Sequence, residues 1–290
     1  MRMRIILILL PGLLAACGGG RASQGGLRVV AGESTYGDLA RELGGPHVRV
    51  TSVLSSPNAD PHLFEPRIAN DLAVAQADVV IENGLGYDAF MDKLQSASPK
   101  SRRIEVVAAD VLGLSGADTN PHLWYDLPAL PRIAAAITRA FVRADPSHTR
   151  DYRRRLSRFV ASLAPLRRTV SAIRASHAGA PVAVTEPVPG YLVAAAGLRD
   201  LAPTAFTRAI EDGSEPPPGA VAAMLELLRG RKVRVLLYNS QAVSPITARV
   251  RAAARAAGIP VVGVTETLPA GETFQRWQLG EAKALQAALG

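Results

Sequence analysis

The chain has 290 residues, 48% of them apolar, with 33 Lys and Arg against 25 Asp and Glu and a formal charge of +8. That length allows two lobes with separate cores, and a single cysteine excludes a disulfide-built domain. The arginine excess lies between residues 139 and 174 without aromatic interleaving or a base-reading motif, which argues against nucleic acid and for a solvated helix face near an anionic membrane.

Arg2 and Arg4 precede an apolar stretch over residues 5–14, the length of a signal-peptide core and too short to span a bilayer. Leu14-Ala15-Ala16-Cys17 follows, then Gly18-Gly19-Gly20. A cysteine directly after Leu-Ala-Ala resembles the bacterial lipobox. The resemblance implies that residues 1–16 are a removed signal peptide and that Cys17 carries lipid as the new N-terminus. Two or more acyl chains would anchor it firmly, since one holds only marginally. Residues 17–26, rich in Gly, are expected to be a flexible tether.

From there strands and helices alternate. Residues 27–31 read as a strand, 36–43 as a helix ended by Gly44-Gly45, and 48–53 as a second strand. Residues 68–75 read as a helix, 78–82 as a buried strand closed by Asn83-Gly84, 87–97 as a helix and 103–107 as a strand. This order predicts a mostly parallel, helix-covered sheet. Residues 129–142 have helical apolar spacing, and Asp145-Pro146-Ser147 interrupts them. Residues 147–177 contain no glycine and one proline, Pro165, with an apolar stripe at Leu156, Phe159, Val160, Leu163, Leu166 and Val170. The expectation is one helix, about 45 Å long at 1.5 Å per residue, kinked at Pro165 and able to join two lobes. Then come a strand at 182–185, a helix at 190–196, an irregular stretch over 203–218 and a helix at 221–228. A strand at 233–238, a helix at 247–257, a strand at 261–264 and a closing helix at 272–289 complete the chain. The halves share a layout but no sequence repeat.

Two of the five histidines sit in matching contexts, Pro61-His62-Leu63-Phe64 and Pro121-His122-Leu123-Trp124. Proline fixes the backbone before each imidazole, and the following aromatic can wedge the loop against a core. Each is a surface residue or a metal ligand. Thr185-Glu186 and Thr265-Glu266 are matching Val-Thr-Glu strand endings. Ligands of open α/β sheets collect beyond the carboxyl ends of strands, so either two acids point at one crevice or each caps a helix or lies in solvent. Glu82 and Asn83 are expected to shape the loop beneath. Asp126 either caps the next helix or supports a ligand histidine. His47, His148 and His177 read as ordinary surface or capping residues.

Three ordered segments, Asp60-Pro61-His62-Leu63-Phe64-Glu65-Pro66, then 77–86 (ADVVIENGLG), then Pro121-His122-Leu123-Trp124-Tyr125-Asp126, resemble the metal-specific solute-binding proteins of manganese and zinc ABC importers. The resemblance implies an α/β fold of two lobes, each a mostly parallel sheet flanked by helices, joined by one long linker helix. It implies an N-terminal lobe over 27–145, a linker over 146–178 and a C-terminal lobe over 179–290, with one metal ion in the cleft. His62 and His122 fall on the first two ligand positions. Glu186 falls on the third, which is histidine or glutamate in the family. Glu266 falls on the fourth, where the family usually has aspartate. The resemblance further implies an extracytoplasmic, lipid-anchored monomer that serves a membrane permease and catalyses nothing. The cargo is manganese or zinc, with iron a third candidate. Residues 113–119 lack the histidine-rich loop of the family's zinc members. The alternatives are an exported metal-dependent hydrolase, whose metal would keep an open position for water, and a surface adhesin of the same fold.

Overall fold

The computed structural model describes residues 26–56 and 64–290. Cys17, the signal peptide, residues 17–25 of the tether and His62 lie outside them. Among the described residues no helix is long and apolar enough to cross a membrane.

Strands β1 (Leu27–Glu33), β2 (Val48–Leu54), β3 (Val79–Glu82) and β4 (Ile104–Val107) form one parallel sheet in the order β2-β1-β3-β4. Strands β5 (Pro181–Val184), β6 (Arg199–Asp200), β7 (Val235–Asn239) and β8 (Val261–Val264) form a second in the order β6-β5-β7-β8. The two sheets thus repeat one topology without repeating a sequence. Helix-covered parallel strands are buried on both faces and read as continuous apolar runs. Val79-Val80-Ile81 and Val235-Leu236-Leu237 are such runs, fully buried. In each sheet the chain reverses direction beside the first strand, between β1 and β3 and between β5 and β7. The crevices beyond those strand ends are the places such a sheet offers a ligand.

One apolar core joins the lobes. It runs from β1 and α1 (Ser34–Gly44) through α5 (Leu130–Ala144) to β5, β7, β8 and the closing helix α12 (Phe274–Leu289). Smaller clusters lie under α2 (Ile68–Gln76) and α3 (Ala89–Ala97) on the first sheet. Another lies under α9 (Thr204–Glu211), α10 (Pro218–Arg229) and α11 (Pro245–Ala256) on the second. Two short helices, α4 (Ala108–Leu112) and α8 (Gly190–Ala195), complete the covering.

The expected single linker helix is two helices, α6 (Thr149–Ser162) and α7 (Ala164–His177). They meet at Leu163, and Pro165 sits in the first turn of α7. Proline lacks an N–H and its ring clashes with the carbonyl four residues back, so the chain breaks before Pro165 instead of bending at it. Phe159, Leu163, Leu166, Val170 and Ile173 stay buried across the break, so both helices keep one face on the core. The stretch 203–218, expected to be irregular, contains α9, whose Phe206, Ala209 and Ile210 are buried at helical spacing.

Candidate metal centre

The His122 loop is a tight turn over Leu123–Tyr125, with all three side chains buried. Trp124 is the wedge. Its ring packs edge-on against Tyr36 at 6.3 Å, Tyr87 at 5.0 Å and His122 at 5.3 Å between centroids. His122 is fully buried. Its Nδ1 lies 2.8 Å from Asn120 Oδ1, which also accepts the His122 backbone N–H at 3.0 Å. Asn120 Nδ2 donates to the Pro187 carbonyl at 2.7 Å, so the amide orientation is set and Nδ1 carries a proton. Gly190, opening α8, makes room for this contact, because a Cβ there would lie 2.8 Å from Asn120 Nδ2. Nε2 is left as the nitrogen facing the second lobe. Asp126 caps instead: its Oδ1 accepts the Ala129 N–H at 3.3 Å at the entrance to α5.

Facing Nε2 is Glu266 Oε2 at 3.2 Å, with both side chains buried. Glu266 follows β8 and Glu186 follows β5, as the Val-Thr-Glu endings predict. Asn239, the last residue of β7, connects them. Its Nδ2 donates to Glu266 Oε1 at 2.6 Å and to Glu186 Oε2, while its backbone N–H donates to Thr185 Oγ1 at 3.0 Å. Gln241 Oε1 accepts the Glu266 N–H at 2.6 Å. The two acids therefore share one crevice, at the reversal point of the second sheet. Burial alone would push the His122 pKa down. The carboxylates of Glu211 and Glu266 outweigh it and hold the pKa above the ordinary histidine value.

The first sheet contributes a supporting turn. Gly84, Leu85 and Gly86 all have positive φ, at 82°, 58° and 79°. At Gly84 a Cβ would also lie 2.8 Å from Val107 Cγ1. Leu85 in that region is strained, by about 1 kcal/mol or more. Asp88 holds the turn by accepting the Asn83 N–H at 2.6 Å and the Gly84 N–H at 2.8 Å. The turn delivers Tyr87 Oη to Glu266 Oε2 at 3.0 Å. Burial, and then the Glu266 charge, push the Tyr87 phenol well above its usual pKa, so it stays a donor. Asn83 Nδ2 also donates to the Pro121 carbonyl at 2.8 Å and its Oδ1 accepts from Tyr36 Oη at 2.7 Å, so it shapes the loop beneath His122 as expected.

Glu82 ends β3 beside Asp88, Asp92 and Glu105, with Gln95 donating to it. Burial first, then those three acids, raise its pKa from 4.5 to about 8. A carboxyl that holds its proton more tightly when folded supports stability below its unfolded pKa and withdraws that support as pH rises through about 8. Urea-unfolding stability should therefore decline between pH 5 and pH 9, and Glu82→Gln should flatten the decline. An identical slope in the variant would remove Glu82 as its source.

Three contributors escape the sequence reading. Asn239 and Tyr87 carry no ligand signal and act only on acids far along the chain. The other is Glu211, the last residue of α9, whose Oε1 lies 3.7 Å from His122 Nε2. The Phe206, Ala209, Ile210 spacing was the available sign of the helix that places it. Among the described residues no three His, Asp or Glu donors already stand together at coordination spacing. His122 and Glu266 form the closest pair, with Glu211 half an ångström further out.

Comparisons agree with this architecture. Residues 29–288 match the family model described as zinc-uptake complex component A, periplasmic (ZnuA). The manganese-binding lipoprotein MntA of Bacillus subtilis is 29% identical over 159 residues, so the match spans about half of either chain, 52%. The iron ABC transporter substrate-binding lipoprotein MtsA of Streptococcus pyogenes serotype M1 is 27% identical over 245 residues, 79% of this chain and 77% of that one. The fold is also that of the periplasmic zinc-binding protein TroA from Treponema pallidum, with a TM-score of 0.76 at 20% identity over 92% of this chain and 100% of that one.

Proposed function

The chain belongs to the zinc-uptake complex component A family, and from that premise we propose that it captures a divalent transition metal outside the cytoplasm and hands it to the permease of an ABC importer. It is a binding protein and not an enzyme. The observation that carries the reading is the buried imidazole of His122, with Nδ1 occupied by Asn120 and Nε2 aimed across the seam at Glu266. A neutral imidazole and ionised carboxylates are what a borderline divalent ion takes as donors.

The proposed ligands are His62, His122, Glu186 and Glu266. The ion is the cargo. On arrival it would sit between Nε2 and the Glu266 carboxylate, while Asn120 keeps the ring in place. Asn239 orients both acids and Tyr87 orients Glu266, so little side-chain entropy remains to be lost on binding. Manganese, iron and zinc are each named for one of the relatives above. Two nitrogen and two oxygen donors suit manganese or ferrous iron by hardness, and zinc by the general order of affinity. Lipidation at Cys17 would keep a monomer beside its permease. Transport is favoured over the hydrolase and adhesin readings by the family match and by the transporter lipoprotein that matches most of the chain.

Uptake by cells tests this. Deleting the chain should reduce accumulation of radioactive manganese, iron or zinc to background, and the full-length chain should restore it. The Cys17→Ser chain should leave the membrane fraction and restore uptake only in part. Undiminished uptake of all three metals in the deletion strain would defeat the transport reading, whereas a membrane-bound Cys17→Ser protein would defeat only the anchor.

A further inference from the structure

Three observations single out Glu211. The first is distance. Donors each about 2.1 Å from one ion lie about 3.0 Å apart at right angles and about 3.4 Å apart in a tetrahedron. Glu266 Oε2 and Glu211 Oε1 lie 3.2 and 3.7 Å from the same imidazole nitrogen. Both carboxylates are therefore within a small side-chain shift of sharing one ion with His122. The second is position. Glu211 and Asp212 line a cavity of about 460 Å³ together with Phe64, Tyr87 and Pro121. Phe64 is the second residue after His62, and Pro121 directly precedes His122. The cavity therefore opens beside the His122 loop. The third is graded burial. The side chains of His122 and Glu266 are closed to solvent, while that of Glu211 is 15% exposed. Of the acids near the buried nitrogen, Glu211 is more open to solvent than Glu266. Its place at the end of α9 adds the partial negative charge of a helix C-terminus, which favours a cation.

We propose that Glu211 is a further metal donor, an outer carboxylate that meets the arriving ion and selects for a hard, high-coordinate cation such as manganese(II) over zinc(II). This rests on the metal-capture reading above and adds a residue to it. With Glu211 the described donors are one imidazole and three carboxylates. Oxygen-rich sets of five or six donors suit manganese, whereas zinc is content with four and gains little from a fifth.

The test is competitive titration of the mature chain with manganese(II) and zinc(II) against a chromophoric chelator, for the natural protein, Glu211→Gln and Glu211→Asp. Loss of a direct donor should cost more than the roughly 10–100-fold typical of supporting residues, so Glu211→Gln should weaken manganese by more than about 100-fold and zinc by less than about 3-fold. Glu211→Asp keeps the charge and should recover much of the manganese affinity. Metal-free melting of the variants should match the natural chain, which separates donation from a structural role. Unchanged manganese affinity in Glu211→Gln, or an equal loss for both metals, would overturn the proposal while leaving metal capture standing. A natural chain that binds neither metal would defeat capture itself.

Discussion

Replacing His122 by alanine is expected to lower metal affinity by more than about 100-fold, beyond the range seen when only a supporting residue is lost. The imidazole is the one described donor whose two nitrogens have separate tasks. Asn120 takes Nδ1 at 2.8 Å, and Nε2 is presented to Glu266 at 3.2 Å and Glu211 at 3.7 Å. Removing it leaves the carboxylates of Glu266 and Glu211 without the imidazole that faces both of them. A 100-fold loss amounts to about 2.8 kcal/mol of binding energy. A metal that binds only the folded chain raises its melting temperature according to its affinity. The shift produced by saturating metal should therefore nearly vanish in His122→Ala, while His148→Ala should keep it in full. His148 is exposed and pairs with Asp145 at 2.5 Å, far from the seam in its contacts. A full metal-induced shift in His122→Ala would remove the seam as the binding site.

Replacing Glu281 by alanine should produce the largest loss of stability. This buried carboxyl on α12 gathers four donors: Tyr125 Oη at 2.6 Å, Trp277 Nε1 at 2.8 Å, Thr265 N at 3.0 Å and Thr265 Oγ1 at 3.4 Å. Tyr125 comes from the first lobe and retains only the Thr265 carbonyl at 2.7 Å if Glu281 is lost. Orphaned buried donors cost about 1–3 kcal/mol each, so the three residues that lose this partner should together cost several kcal/mol. For a chain of this size the melting temperature should fall by roughly 10 °C. Thr265 also carries Glu266 on its carboxyl side, so metal affinity should drop by about 10–100-fold as a supporting effect. A variant melting within about 2 °C of the natural chain would mean that water replaces the carboxyl at little loss.

The buried strands were legible because Val and Ile runs between turn residues can be satisfied in few other ways. The two Val-Thr-Glu endings were legible too, as acids placed where an open sheet offers a crevice. Their union was not, because it depends on Asn239, which lies 53 residues from Glu186 and 27 from Glu266. An amide at a strand end carries no chemical signal until its neighbours are known. Glu211 escaped for a different reason. Pro203 and the run Pro216-Pro217-Pro218 make their segment look broken, although one proline precedes a helix and the others begin the next. At Pro165 the local rule held and only its place was wrong. A proline stops the helix before it, and the chain turned at Leu163, where a buried leucine could keep the stripe in step.

The apolar core that passes through both sheets bears on how long a captured ion stays. If the lobes parted like jaws, each 100 Å² of that core brought into water would cost about 2.5 kcal/mol. Wide opening is therefore a poor route for exchange. Ions would then come and go by smaller motions at the rim, where the strained turn at Leu85 and the end of α9 both line the cavity. Such motions are fast, on the order of nanoseconds to microseconds, against microseconds to milliseconds for a hinge. Residence time is then governed by the breaking of metal–donor bonds one after another, outermost first. A partner that pulls on the rim alone can shorten it without disturbing the rest of the molecule.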